Sequence, residues 1–399
     1  MAHDLSERHD ADEVLGRRPV RRIALLIETS NGYSRQLLAG VYEHMRSDGH
    51  WATFLPEHGR GMPPLKELAR WTGDGIIARI ENPETARVIE RLGIPAIDIS
   101  AGRLLPAVPY VETNDAEIAE LAARHFLDDG FQHFAYCGDR RFRWSENRQH
   151  FFQNVLAARG HSVHVFQEPA RAAASTEDTL SRIGDWLVSL PKPVAVFACY
   201  DARGRQVIDE CHRVGLRIPD DVAVLGVDDD ELLCSLMNPP LSSIIPDARG
   251  AGRLAGELLD RLIDGESVPM ENLLTPLGVV VRRSTDVLAV DDPLITASVA
   301  FIRANVHRGI KPEDVVAAVD STRKMLDQAF VRRLDRTIHE AILQVQFRIV
   351  EQLLLETDLK LAAIATRCGF RHPEYMTVAF TKRYGLSPSE WRKEHRRGS

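Results

Sequence analysis

The sequence predicts a two-lobed α/β domain of doubly wound parallel sheets, followed by an all-α domain with two helix-turn-helix units. Three observations lead there. Residues 22–290 alternate short apolar runs with amphipathic stretches of helical period. From about Pro293 the apolar runs stop and only the helical period remains. Within that tail, an amphipathic helix, a turn and a second helix occur twice, with Phe330 and Phe380 at matching places 50 residues apart.

The α/β part reads in order as follows. "RIALLIET" is a strand, and Ser34–Arg46 is a helix with Leu37, Leu38, Val41, Tyr42 and Met45 on one face. "GDGIIARI" precedes a helix over Pro83–Leu92, and "IPAIDIS" is a further strand. "YVETND" leads into a helix over Ala116–Asp129, and "HFAYCGD" into one over Ser145–Arg159. "HSVHVFQ" pairs with a helix over Thr176–Leu190, "VAVFACYD" with one over Arg203–Val214, and "VAVLGVDDDE" closes the series. Short buried strands alternating with such helices imply βαβ crossovers. The number of units exceeds one doubly wound sheet, so two lobes with a cleft between them are expected.

Composition narrows the class. The 399 residues are 44% hydrophobic and 27% charged, as in ordinary globular proteins. No run reaches the ~18 apolar residues of a membrane span, so no membrane partner is expected. Met1–Arg18 is polar and charged without a secretory pattern, and residues 1–20 are expected to be a disordered tail. The five cysteines are scattered singly without CxxC spacing, which fits reduced thiols in the cytoplasm and no zinc site.

Ligands of open parallel sheets bind beyond the carboxyl ends of the strands. The residues there are Glu28, Asn31, Tyr33 and Arg35; Asn114 and Asp115; Trp144 and Arg148; Asp201 and Arg203; and Asp228, Asp229 and Asp230. Carboxylates, amides and arginine forks suit vicinal hydroxyls, and Tyr and Trp offer flat faces to a C–H-rich ring, so a sugar is the expected ligand. Phosphate loops, nucleophile elbows and HExxH are missing, and no cofactor is expected. "DDDE" at 228–231 reads as an acidic cluster at a helix N-terminus rather than a metal site. The rival reading is a sugar-modifying enzyme using Asp201, Asp228 and Asp229.

In the tail, "DLKLAAIATRCGF" places Leu361, Ile364 and Ala365 on one face and stops at Gly369, where a left-handed turn is expected. "HPEYMTVAFTKRYG" then starts at Pro373 and should carry Tyr375, Met376, Ala379 and Phe380 inward. The first copy has Val315, Val316 and Val319, a turn at Asp320, and Met325, Leu326 and Phe330 inward. "IHEAILQVQFRIVEQLL" joins the copies as one long helix. Charge is uneven: from Asp291 onward there are 18 Lys/Arg against 14 Asp/Glu, a net +4, whereas the rest carries 32 against 43, a net −11. A basic tail on an acidic body points to a polyanion.

The pieces "RIALLIE…YSRQLLAGV", "DGIIARI", "YVETND", "VAVFACYDARGRQV", "DVAVLGVDDDELL" and "PPLSSIIPDARGAGRLAGELLDRLI" resemble the LacI/GalR-type sugar domain, of periplasmic-binding-protein fold, in that family's order. The stretch from "IATRCGF" to "SPSEWR" resembles the AraC/XylS-type DNA-binding domain. The two in this order are similar to the xylose operon regulator family over nearly the whole chain. That resemblance implies a sugar-binding unit over 21–288 and a DNA-binding unit over 289–399. It also implies a sugar-responsive transcriptional activator, not an enzyme, with D-xylose or a similar aldose as effector. Double-stranded DNA, a second copy of the chain and RNA polymerase are the implied partners. The recognition helices by this resemblance are Thr322–Arg332 and His372–Arg383. Thr322, Arg323, Lys324, Asp327 and Gln328 in the first, and Arg371, His372, Glu374 and Thr377 in the second, are placed to reach bases. Arg332, Arg333, Lys382 and Arg383 are placed to reach phosphates.

Overall fold

The computed structural model describes residues 20–48, 51–57, 59, 65–167, 176–287, 292–334 and 336–395. The tail expected before residue 20 and the domain boundary expected at 288 lie outside the described residues.

The first lobe starts with β1 (Arg21–Leu26), α1 (Gly32–Asp48), β2 (Trp51–Phe54), α2 (Leu65–Leu68), β3 (Gly75–Ala78), α3 (Pro83–Leu92), β4 (Ala96–Asp98) and β5 (Tyr110–Thr113). The second lobe runs from α4 (Asp115–Asp128) and β6 (Phe134–Cys137) through α5 (Arg143–Ala157), β7 (Val163–Val165) and α6 (Thr176–Ser189) to β8 (Val194–Ala198) and α7 (Asp201–Arg213). It continues with β9 (Val222–Val227), α8 (Glu231–Leu236) and β10 (Ser242–Ile245). The chain then returns to the first lobe with α9 (Ala248–Ile263) and β11 (Glu271–Leu274), and ends the α/β part with β12 (Gly278–Val280) in the second.

One sheet has the order β11-β5-β4-β3-β1-β2 and is parallel throughout. The other has the order β12-β10-β9-β8-β6-β7, with only β12 antiparallel. Both fit the expected doubly wound pair. Central strands β3, β6, β8 and β9 are buried along their whole length, as parallel sheets covered on both faces require. Because β5, β10 and β11 each hand the chain to an element of the other lobe, the connections between lobes lie side by side as a hinge.

Four strands were not expected. β2 and β11 are edge strands with exposed residues, so no apolar run marks them. β12 is three half-buried residues. β10 opens with Ser242 and Ser243, which are fully buried because their hydroxyls bond inside the protein, and the polar letters conceal a core strand. In the first lobe α1 and α9 lie against each other. A Cβ on Gly40 would sit 1.9 Å from Arg249 O, and one on Gly252 1.9 Å from Leu37 O, so only glycine permits the approach.

The tail contains α10 (Pro293–Asn305), α11 (Pro312–Ala318), α12 (Arg323–Leu334), α13 (Ile338–Glu356), α14 (Leu361–Arg367), α15 (Pro373–Tyr384) and α16 (Pro388–His395). α11 with α12, and α14 with α15, form the two helix-turn-helix units, and α13 bridges them. Phe330 and Phe380 are each fully buried, one in each of two separate cores. The turn residues have left-handed backbone, φ +47 at Asp320 and φ +76 at Gly369. No described helix is long and apolar enough to cross a membrane.

Candidate functional site

Strand ends of both lobes meet at a small cavity lined by Asn31, Tyr33, Arg79, Ile99, Ser100, Glu112, Thr113, Trp144, Arg148 and Asp228. Its free volume is about 30 Å³, space for a single water-sized group. A sugar-sized ligand therefore requires the lobes to part. Asp230 holds them together: its carboxylate accepts from Gly32 N of the first lobe at 3.0 Å and lies 3.7 Å from the Arg35 guanidinium. The same carboxylate caps α8, accepting from Leu233 N at 3.3 Å, as the acidic run implied.

On the second-lobe side, Arg148 Nε donates to Asp115 Oδ1 at 2.8 Å and its Nη1 to Cys199 O at 2.6 Å. The guanidinium lies 4.8 Å from the centre of the Trp144 ring, which stacks on Phe142 and meets Tyr200 edge-on. Burial and these bonds fix an arginine fork beside an aromatic plate. On the first-lobe side, Arg79 donates to Glu28 Oε1 and Glu81 Oε1, both at 2.7 Å, and stands 5.5 Å from the Tyr33 ring. Thr113 Oγ1 is buried on the wall without a hydrogen-bond partner among the described residues, an open position for a ligand hydroxyl. Asp228 has φ +113 and Asp229 φ +47. Such strain in non-glycine residues costs ~1–3 kcal/mol each and is retained where it aims a side chain.

The carboxyls here are crowded. Burial raises Glu112 well above the usual carboxylate range, and the neighbouring Asp115 charge raises it further. Burial likewise raises Asp115, against the pull of Arg148. Asp98, beneath the wall, is pushed up to about 7 by burial although Ser100 and two backbone amides bond it.

Asn31, Tyr33, Trp144, Arg148 and Asp228 from the sequence analysis thus share one wall. The others stand elsewhere. Glu28 sits behind it, accepting from Arg79 and Asn31. Arg35 is at the lobe edge, and Arg203 faces Gln206 and Asp139. Asn114 caps α4, accepting from Ala116 N at 3.0 Å, and Asp229 pairs with Arg282 at 2.8 Å. Asp201 is 1% exposed, accepting from Ser243 Oγ at 2.6 Å, Asp230 N at 2.9 Å and Cys234 Sγ at 3.3 Å. It braces the turn that carries Asp228 and is not part of the cavity lining. Arg79, Glu112 and Thr113 were missed. Arg79 directly follows β3 and met the strand-end rule, but it was read as part of an apolar run.

α4 links this wall to the tail. Its first residue, Asp115, orients Arg148; at its far end stand Asp128 and Asp129. Asp129 Oδ1 accepts from Arg348 Nη1 at 3.0 Å and Arg303 Nη2 at 3.4 Å. Asp128 lies 3.2 Å from Arg383 and 3.7 Å from Arg336. All four arginines belong to the tail. His125, one turn earlier, is pushed down to about 3 by burial and by Arg348 and Arg303, and donates or accepts at Thr285 Oγ1, 2.9 Å away.

The outer surfaces of α12 and α15 expose Lys324, Gln328, Arg332 and Arg333, and Glu374 and Lys382. Thr322, Arg371 and His372 are exposed just before the two helices. Two assignments need correction. Met325 and Tyr375, expected inward, are 61% and 47% exposed. The inner faces are already formed by Leu326, Ala329 and Phe330 and by Met376 and Phe380, so a residue one step earlier points ~100° away. Arg323 is held by Asp327 at 2.6 Å and Glu313 at 2.8 Å, and Thr377 bonds Pro373 O within its own helix. Arg383, itself exposed, lies 3.2 Å from Asp128.

Three family models match: a XylR N-terminal domain over residues 22–116, a periplasmic binding protein-like domain over 123–285, and a helix-turn-helix domain over 315–394. The xylose operon regulatory protein of Escherichia coli K12 is 30% identical over 93% of this chain and 96% of its own length. That of Haemophilus influenzae is 27% identical over 93% and 98%. The solved structure of the xylose-binding transcription activator XylR superposes with a TM-score of 0.61 at 30% identity, covering 94% of this chain and 98% of the other. These relatives are operon regulatory proteins and a transcription activator, and the sugar-modifying enzyme reading falls with the comparison. The chain belongs to the family of xylose operon regulatory proteins.

Proposed function

We propose that D-xylose or a close aldose relative binds between the lobes. Binding would change how the helix-turn-helix units of a cytoplasmic homodimer sit on DNA, and thereby activate transcription through contact with RNA polymerase. The ligand unit is taken as residues 21–288 and the reader as 289–399. The observation that carries the reading is α4, which starts at the cleft through Asp115 and ends on the two aspartates that hold four arginines of the tail. A sugar hydroxyl between Arg148, Thr113 and Asp228 would draw on donors and acceptors already fixed by the fold, and Trp144 and Tyr33 supply the ring faces. The names of the relatives point to xylose among the aldoses. Parting and reclosing the lobes would shift the start of α4 with Arg148, and its far end with Asp128 and Asp129.

Calorimetry with a panel of aldoses tests this. One pentose should bind at least tenfold more tightly than its epimers, and Arg148→Ala should abolish the heat. Absence of heat from every aldose would overturn the effector assignment.

A further inference from the structure

The two reading helices carry an unexpected feature on their outer faces. Met325 is 61% exposed, Tyr375 47% and Val378 67%. Single exposed apolar residues are ordinary. These are placed systematically: Met325 and Tyr375 are each the third residue of their helix, and Val378 follows Tyr375 by one turn on the same face. Their neighbours on that surface are polar or cationic: Lys324, Gln328 and Arg332 around the first, Arg371, Glu374 and Lys382 around the second. An apolar spot framed by polar and mostly cationic side chains matches the DNA major groove, where phosphates flank the base edges. The thymine C5-methyl is the one apolar group presented there. A protein partner's apolar surface would not explain why the spot recurs at the same helical position in both units.

We propose that Met325 in the first unit, and Val378 with Tyr375 in the second, read thymine methyl groups, adding apolar sequence readout to that of the polar side chains beside them. Tyr375 is anchored for this, its hydroxyl 3.3 Å from His339 Nε2 on α13. α13 has 19 residues, about 28 Å at 1.5 Å per residue, so the two units can reach successive major-groove faces. The thymines read by Met325 and by Val378 should then lie about ten base pairs apart.

The inference rests on the chain's being a DNA binder, and the test separates the two. Duplexes are first enriched from a random pool by the full-length protein; failure to enrich any sequence would count against the DNA-binding reading itself. Each thymine of the enriched duplex is then replaced singly by uracil, which removes the methyl and keeps the pairing. One or two replacements per half should weaken binding about fourfold, the worth of one buried methyl. Val378→Ala should lose sensitivity at its own thymine only, and Met325→Ala at a thymine about ten base pairs away. Both variants should keep sugar binding and the wild-type unfolding midpoint. The proposal is overturned if uracil is tolerated everywhere, or if the variants retain the wild-type uracil profile. Loss of transcriptional activation with unchanged DNA binding would also overturn it, and would assign the spots to a protein partner.

Discussion

Replacing Gly369 with alanine should disable DNA reading while leaving the sugar unit intact. Two costs follow from the structure. At φ +76 an alanine is in the left-handed region, a penalty of ~1–2 kcal/mol. Its Cβ would also stand 1.9 Å from Val306 O and 2.8 Å from Gly309 N. Both are backbone atoms, so no side chain can rotate away and the turn between α14 and α15 must open. Opening endangers the bond from Gln346 Nε2 to Cys368 O at 2.9 Å, buried and worth ~1 kcal/mol. Strain and bond alone come to about 2–3 kcal/mol, and the clash adds to them, a large share of the 5–15 kcal/mol typical of a domain. Calorimetric unfolding should show one transition unmoved and another lowered by many degrees. Affinity for enriched duplex should fall more than tenfold at unchanged aldose affinity. Gly369→Asn separates the causes: asparagine tolerates the left-handed region but carries the same Cβ, so it should fail nearly as badly. If alanine kept full DNA affinity and both transitions, the close approach to Val306 would not hold the second unit together.

Three further outcomes are expected. Asp228→Ala, which removes a strained carboxylate from the cleft wall, should weaken aldose binding more than tenfold in calorimetry without lowering the unfolding midpoint; unchanged affinity would place the sugar elsewhere. Asp128→Asn releases Arg383, and in sugar-free protein should strengthen binding to random duplex and steepen its salt dependence by about one unit; an identical slope would mean Arg383 does not reach phosphate. Asp98 is pushed up to about 7 by burial, so its folded value exceeds its unfolded one. Its contribution to stability is present below pH ~4 and lost as pH rises through 7, by as much as ~4 kcal/mol. Urea midpoints at pH 5 and pH 8 should therefore differ less in Asp98→Asn than in wild type; an equal difference would remove Asp98 as the titrating group.

Much of this was legible in the sequence because it depended on local rules. Buried parallel strands write continuous apolar runs, and Gly369 and Phe380 announce a helical turn and its core. Asn31, Tyr33, Trp144, Arg148 and Asp228 could be found because each lies in the loop after a strand or in the first two turns of the helix that follows it. What was not legible depended on three-dimensional partners. Asp201 satisfies the same positional rule, but Ser243, forty-two residues away, takes its carboxylate, and no local pattern records that. Ser242 and Ser243 hid β10 because their burial depends on Ser284, Arg282 and Asp201. Met325 was misplaced because a run of adjacent apolar letters does not say which one the core leaves out. The contact of Arg383 with Asp128 could not be read because nothing in the tail's own sequence reveals a partner across the domain junction.

That α4 has the cleft at one end and the tail at the other also constrains how the protein behaves on a chromosome. If sugar changes DNA affinity through this helix by some factor, then DNA must change sugar affinity by the same factor, since both describe one closed thermodynamic cycle. A copy resting on its operator and a copy free in solution would then respond at different sugar concentrations. The threshold for induction would be set by the DNA as much as by the pocket. Two promoters with different operators could switch on at different levels of the same sugar, using a single regulator and an unaltered cleft.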